Sequence, residues 1–198
     1  MNPTQHNILS TTSALLETQG FHGTGLNQII QASGAPKGSL YYYYPGGKDE
    51  LVEAAINAAG EQVAARIQAQ LAMTADAAEA IRRFVLAIAE QVELSEFKSG
   101  GPLMTVAMET ASTNERLNNA CRTAYTRIHA AFAAKLLAGG WNDEQALALA
   151  TMISAAIEGG VILSRTYHSA DPLRGVAEQL ATLIRLNPVS AAMTPNQT

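Results

Sequence analysis

Apolar residues recur along this chain at three- and four-residue steps, and the pattern predicts helix almost throughout. Ile8, Leu9, Thr12, Leu15 and Leu16 lie on one side of a first helix from about Gln5 to Gln19, with Gly20 as its terminator. Leu26, Ile29 and Ile30 face inward from a short helix over Asn27 to Ser33, and Gly34 supplies a turn. Pro36 fits the first turn of a third helix, Lys37 to Tyr43, where its missing N–H costs nothing. Pro45, Gly46 and Gly47 break the chain again, and Val52, Ile56, Ala59, Val63, Ile67 and Leu71 then mark a long helix. Thr74 to Asp76 can break and recap it before a stripe of Ile81, Phe84, Val85, Ile88 and Val92. Ser99, Gly100, Gly101 and Pro102 form a joint, from which a short helix runs through Met108. Leu117, Cys121, Ile128, Phe132 and Leu136 define a further helix, closed by Gly139 and Gly140. Asn142 to about Tyr167 is apolar on most sides, and Asp171 and Pro172 open a last helix. No segment alternates with period two. The expectation is an all-α protein of about nine helices, divided into an N-terminal head (1–47), a helical body (48–187) and a flexible tail (188–198).

Composition narrows the picture. With 198 residues and 47% hydrophobic side chains, a substantial core is affordable and global disorder is excluded. No apolar run reads as long enough to cross a bilayer, and the first twelve residues lack a basic-then-apolar leader pattern. A soluble, cytoplasmic protein with no membrane partner is therefore expected. The single Cys121 excludes an intrachain disulfide and reads as a buried, inert thiol. His6, His22, His129 and His168 have no metal-ligand spacing, so neither a metal nor a cofactor is expected. Gly46-Gly47-Lys48 lacks the upstream glycine and following hydroxyl of a phosphate loop, since Tyr42 and Asp49 stand there. Glu109 and Glu158 lie in otherwise apolar helices, where a buried carboxylate more readily bonds a neighbour or a ligand than forms a catalytic pair. The chain does not read as an enzyme. Its net charge is −4, and its first fifty residues hold two basic side chains, Lys37 and Lys48. Any nucleic-acid binding must rest on placement, not on a basic field.

Placement is what the head offers. Two short helices joined at Gly34-Ala35-Pro36 have the layout of a helix-turn-helix, whose second helix enters the major groove. Lys37, Ser39, Tyr42 and Tyr43 are the expected outward positions, with Leu40, Tyr41 and Tyr44 turned into the core. The same shape also occurs as plain scaffolding. The letters go further. Gly20-Phe21 and the run from Leu26 to Leu51, above all Ser33-Gly34-Ala35-Pro36-Lys37-Gly38-Ser39-Leu40-Tyr41 followed by Pro45-Gly46-Gly47-Lys48, closely resemble the DNA-binding region of the TetR/AcrR regulators, most of all their LmrA/YxaF branch. The resemblance continues more weakly through Gly100-Gly101-Pro102 and Glu158-Gly159. It implies that helix 37–43 is a recognition helix, that Lys48 and the helix N–H groups beside it hold a phosphate, and that Thr24 and Gln28 seat the second helix on the DNA backbone. The chain departs from the branch at Tyr43 and Tyr44, where histidine then phenylalanine is common. It departs again at Gly25, often Ser or Thr, and at Gly101, often cysteine.

The resemblance also implies a ligand cavity among the middle helices, for which Phe97, Met104, Met108, Tyr125, Phe132, Trp141 and Glu158 are candidates. Each taken singly is more often an ordinary core residue. The implied effector is small and lipophilic or aromatic, flavonoids included. Ala150, Ser154, Ala155 and Gly159 permit close helix approach, and Leu173, Val176, Leu180 and Leu183 form a seam, which together predict a homodimer; internal packing alone would use the same residues. The expected function is a repressor whose dimer sets two recognition helices about 34–36 Å apart on double-stranded operator DNA, and which a ligand releases. The acidic charge leaves open a rival: a helical ligand-binding or enzymatic protein without operator affinity.

Overall fold

A computed structural model describes residues 2–98 and 100–186; the tail expected from Pro188 lies outside them. Within the described residues the chain is all-α, with nine helices: α1 (Pro3–Gly23), α2 (Leu26–Ser33), α3 (Lys37–Tyr43), α4 (Lys48–Ala72), α5 (Ala77–Leu94), α6 (Pro102–Thr110), α7 (Glu115–Ala138), α8 (Asp143–Tyr167) and α9 (Asp171–Leu186). Among the described residues two compact units emerge, one of residues 2–66 with 91–98 and 100–128, and one of residues 67–90 with 129–186.

In the first unit, α1 begins earlier than its apolar stripe implies. The Asn2 side chain accepts from the Gln5 N–H at 2.8 Å and Pro3 occupies the first turn, so the cap, not the stripe, sets the start. Nor does α1 end at Gly20. There the backbone swings to φ 71°, ψ −175° and the helix resumes to Gly23, which makes Gly20 a kink. Ile8, Leu16, Ile29, Leu40, Leu51 and Ile56 are fully buried and hold α1 to α4 around one core. Gly60 of α4 lies so close to α7 that a Cβ there would sit 2.6 Å from that of Ala124.

The second unit has a core built on Phe84 and Phe132, whose rings meet edge to face at 5.5 Å. Lys135 donates to the carbonyls of Thr74 and Ala75 at 2.5 and 3.1 Å and ties down the turn after α4. Gly160 of α8 lets α9 approach, since a Cβ there would meet Leu173 at 2.9 Å. On the surface, Glu79 of α5 faces Arg82, Arg83 and Arg185, and Arg82 reaches Glu178 of α9 at 2.8 Å. The hydrogen bond from Arg83, then the surrounding guanidinium charge, holds the Glu79 carboxyl below its usual range. One expectation needs correcting here. By length and composition α8 is apolar enough to cross a membrane. Its single charges are spaced widely enough to leave a long apolar window, in which 44% of the residues are buried inside the chain. The rest of that window includes an exposed apolar face.

Candidate nucleic-acid interface and helical body

The first site is built on the turn between α2 and α3. Gly34 takes the left-handed conformation, φ 64°, that closes α2, and α3 starts directly after Pro36. Asn7 of α1 donates to the Ser33 carbonyl at 2.9 Å, which pins this turn to α1. Leu40 is fully buried and anchors α3 to the core, leaving its other sides for contact. Lys37 is exposed, Ser39 is half-buried and Tyr42 is 80% exposed. Tyr43 is half-buried and its hydroxyl is bonded by the Asn2 side chain. Tyr44 is buried, as its place in the pattern implies. Tyr41 is not: it is 44% exposed, because a seven-residue helix anchored by one inward Leu40 leaves the next position at the rim.

The remaining head residues are committed inside the protein. Thr24 is fully buried and its hydroxyl donates to the Gly20 carbonyl at 2.7 Å, across the kink. Gln28 donates to the Gln19 side chain at 2.9 Å. Lys48, the first residue of α4, donates to the Phe21 carbonyl at 2.6 Å and stands 4.1 Å from the centre of the Phe21 ring. Burial there lowers its pKa, against the opposing pull of the Asp49 and Glu109 carboxylates. Among the described residues of the first fifty, Lys37 is thus the exposed lysine. Sequence reasoning missed Asn2 and Asn7, whose polar letters carry no periodic signal. It singled out Glu109 without its partner, which is the backbone N–H of His22, at 2.9 Å.

The body distributes the ligand candidates between the two units. Phe97, Met104, Met108 and Tyr125 fall in the first, and Phe132, Trp141 and Glu158 in the second. Phe97 and Glu96 both have positive φ, 61° and 53°, in the turn after α5. Met104, Tyr125, Trp141 and Glu158 are half-buried, and Met108 is 74% exposed. Phe132 is a core side chain against Phe84. Cys121 is buried in α7, and burial pushes its thiol pKa up to about 11.

The residues predicted to dimerise divide in two. Ala150, Ser154, Leu173 and Leu180 are buried within the chain. Ala155 is exposed, and Gly159, Val176 and Leu183 are half-buried. Met152, Ala156, Val176, Leu180 and Leu183 line a shallow groove of about 490 Å³ on α8 and α9. Leu147, Ile162, Leu163 and Tyr167 extend the apolar surface of α8. Sequence reasoning named the seam and missed these exposed members, because α8 is apolar on both faces and periodicity alone does not say which one turns inward.

Comparison with known proteins places these features in a family. Residues 8–55 match the bacterial regulatory proteins of the tetR family, and residues 77–179 match the C-terminal domain of LmrA/YxaF-like transcriptional regulators. The helix-turn-helix-type transcriptional regulator YxaF of Bacillus subtilis is 42% identical over 90% of this chain and 93% of its own. The regulator LmrA of the same organism is 38% identical over 90% of this chain and 95% of its own. A TetR transcriptional regulator from Legionella pneumophila shares the fold, with a TM-score of 0.80 and 24% identity over 92% of this chain and 98% of that one.

Proposed function

The chain belongs to the TetR family of bacterial transcriptional regulators, and we propose that within it this protein is a dimeric repressor that leaves its operator when a small lipophilic or aromatic effector binds the helical body. The observation that carries the DNA half is the outer side of α3. Lys37 and Tyr42 are turned to solvent, with Ser39 half-buried beside them, on a helix whose inner side is locked by Leu40. An amine and hydroxyls there can reach base edges and phosphates in a major groove. The head (1–47) serves operator DNA, and the body (48–187) serves the effector and the second copy.

The dimer half rests on the apolar face of α8 and α9. A face of this kind left in water is costly, and a second copy offers the same face for an isologous contact. The effector half rests on the mixed methionine and aromatic content of α6 and α7. A ligand shifts the operator equilibrium only by its differential affinity for the two states, so operator DNA must weaken the ligand by the same factor. Footprinting with purified protein on the DNA flanking its own gene tests the whole. Protection of a two-fold symmetric site, relieved by a flavonoid or similar flat compound, is the expected result. Uniform, sequence-independent binding would sink the regulator role proposed here.

A further inference from the structure

Two carboxylates tie α1 to α6 at opposite ends of α6. At the near end, Glu17 of α1 accepts from the N–H groups of Gly100 and Gly101 at 2.9 and 3.0 Å. Gly101 precedes α6 with φ 76° and offers no side-chain cap of its own, so the carboxylate from α1 meets the unpaired N–H groups and the positive end of the α6 dipole. At the far end, Glu109 of α6 accepts from the His22 N–H at 2.9 Å. It reaches that group through the notch at Gly20, where a Cβ would lie 1.9 Å from its Oε1. Beside it Lys48, which opens α4, is bonded to the Phe21 carbonyl. Each helix therefore supplies the carboxylate that satisfies the other's backbone.

We infer that Glu17 and Glu109 form a reciprocal clasp that makes the position of α6 and the setting of the DNA-binding head a single equilibrium, without either carboxylate touching DNA. The two bonds lie at opposite ends of α6, whose rise from Pro102 to Glu109 is about 10 Å. A rigid shift of α6 relative to α1 must strain or break at least one of them, and the Gly20 kink and the Lys48 contact move with Glu109. The clasp's effect on operator binding rests on the regulator reading; its existence as a cooperating unit does not.

The experiment uses the full chain and the variants Glu17→Ala, Glu109→Ala, the double variant and Glu109→Gln. Operator duplex found by footprinting and a scrambled duplex are titrated at several salt concentrations, and thermal unfolding is followed for each protein. The single alanine variants should remain folded and bind operator roughly tenfold more weakly, within the range of ordinary allosteric couplings. Their salt slope should be unchanged, because no phosphate contact is lost. Glu109→Gln keeps an acceptor for His22 and should recover most of that loss. In unfolding, substitutions this far apart ordinarily add; here the double variant should cost clearly less than the sum. Operator binding within twofold of the unsubstituted chain, or tighter, overturns the coupling. Additive unfolding costs overturn the clasp as a unit, and this result is readable even if the unsubstituted chain selects no operator, which would instead overturn the regulator reading.

Discussion

Of the four consecutive tyrosines, Tyr42 is 80% exposed and Tyr44 is 4% exposed, so neighbours with one chemistry do different work. Tyr42→Phe removes a hydroxyl that nothing inside the chain needs. The fold should stand, and operator preference should fall at one base position by about 1–3 kcal/mol if that hydroxyl reads a base. Titration against single-base operator variants checks this, and an unchanged preference at every position removes Tyr42 from readout. Lys48 is the more instructive residue. The resemblance implies a phosphate contact, whereas the structure shows the ammonium bonded to Phe21. The ammonium has three N–H donors, so it can reach a phosphate while keeping that bond. Lys48→Ala should lower the salt slope by roughly one unit if the contact forms on DNA. It should also lower the melting temperature by ~2–4 °C for a loss of about 1 kcal/mol. A lower melting temperature with an unchanged slope would make Lys48 an internal strut only. Nothing in the pattern of the sequence shows this double commitment, because a carbonyl acceptor has no letter.

At the scale of elements, close approaches settle where helices lie. α4 meets α7 at Gly60 and Ala124, with no room for a Cβ on Gly60. Gly60→Ala gains helix propensity, worth about 1 kcal/mol in isolation. The added methyl would lie 3.0 Å from the Ala124 Cα as well as against its Cβ, and overpacking of this kind costs about 1–3 kcal/mol. Denaturant unfolding should therefore show a net loss or no gain; a gain near 1 kcal/mol would mean that α4 and α7 separate freely. Helix identity was legible from the stripes. Helix ends were less so, since Asn2, Gly20 and Glu17 act through caps and partners distant in sequence.

At the scale of the whole molecule, the exposed side of α8 implies self-association. Ala155 is exposed on that side beside Met152, so Ala155→Glu should place two carboxylates face to face in an isologous pair. Sedimentation at micromolar concentration should show the unsubstituted chain as a dimer and this variant as a monomer. Operator affinity should fall with it, because two half-sites are no longer joined. A monomeric unsubstituted chain would end the dimer proposal.

The sequence by itself determined the all-α class, the helix-turn-helix and the family, because period, glycine and proline punctuation and a dense local motif are all written in adjacent letters. Tertiary structure alone decided which face of α8 is core, that Tyr41 stands at the surface, that Lys48 and Thr24 turn inward, and that Glu109 ends on His22. Lys48 and Glu109 find partners far along the chain, and Thr24 finds its partner only because the backbone kinks at Gly20. A residue's own letter records what it can bond, and only packing selects which bond it makes.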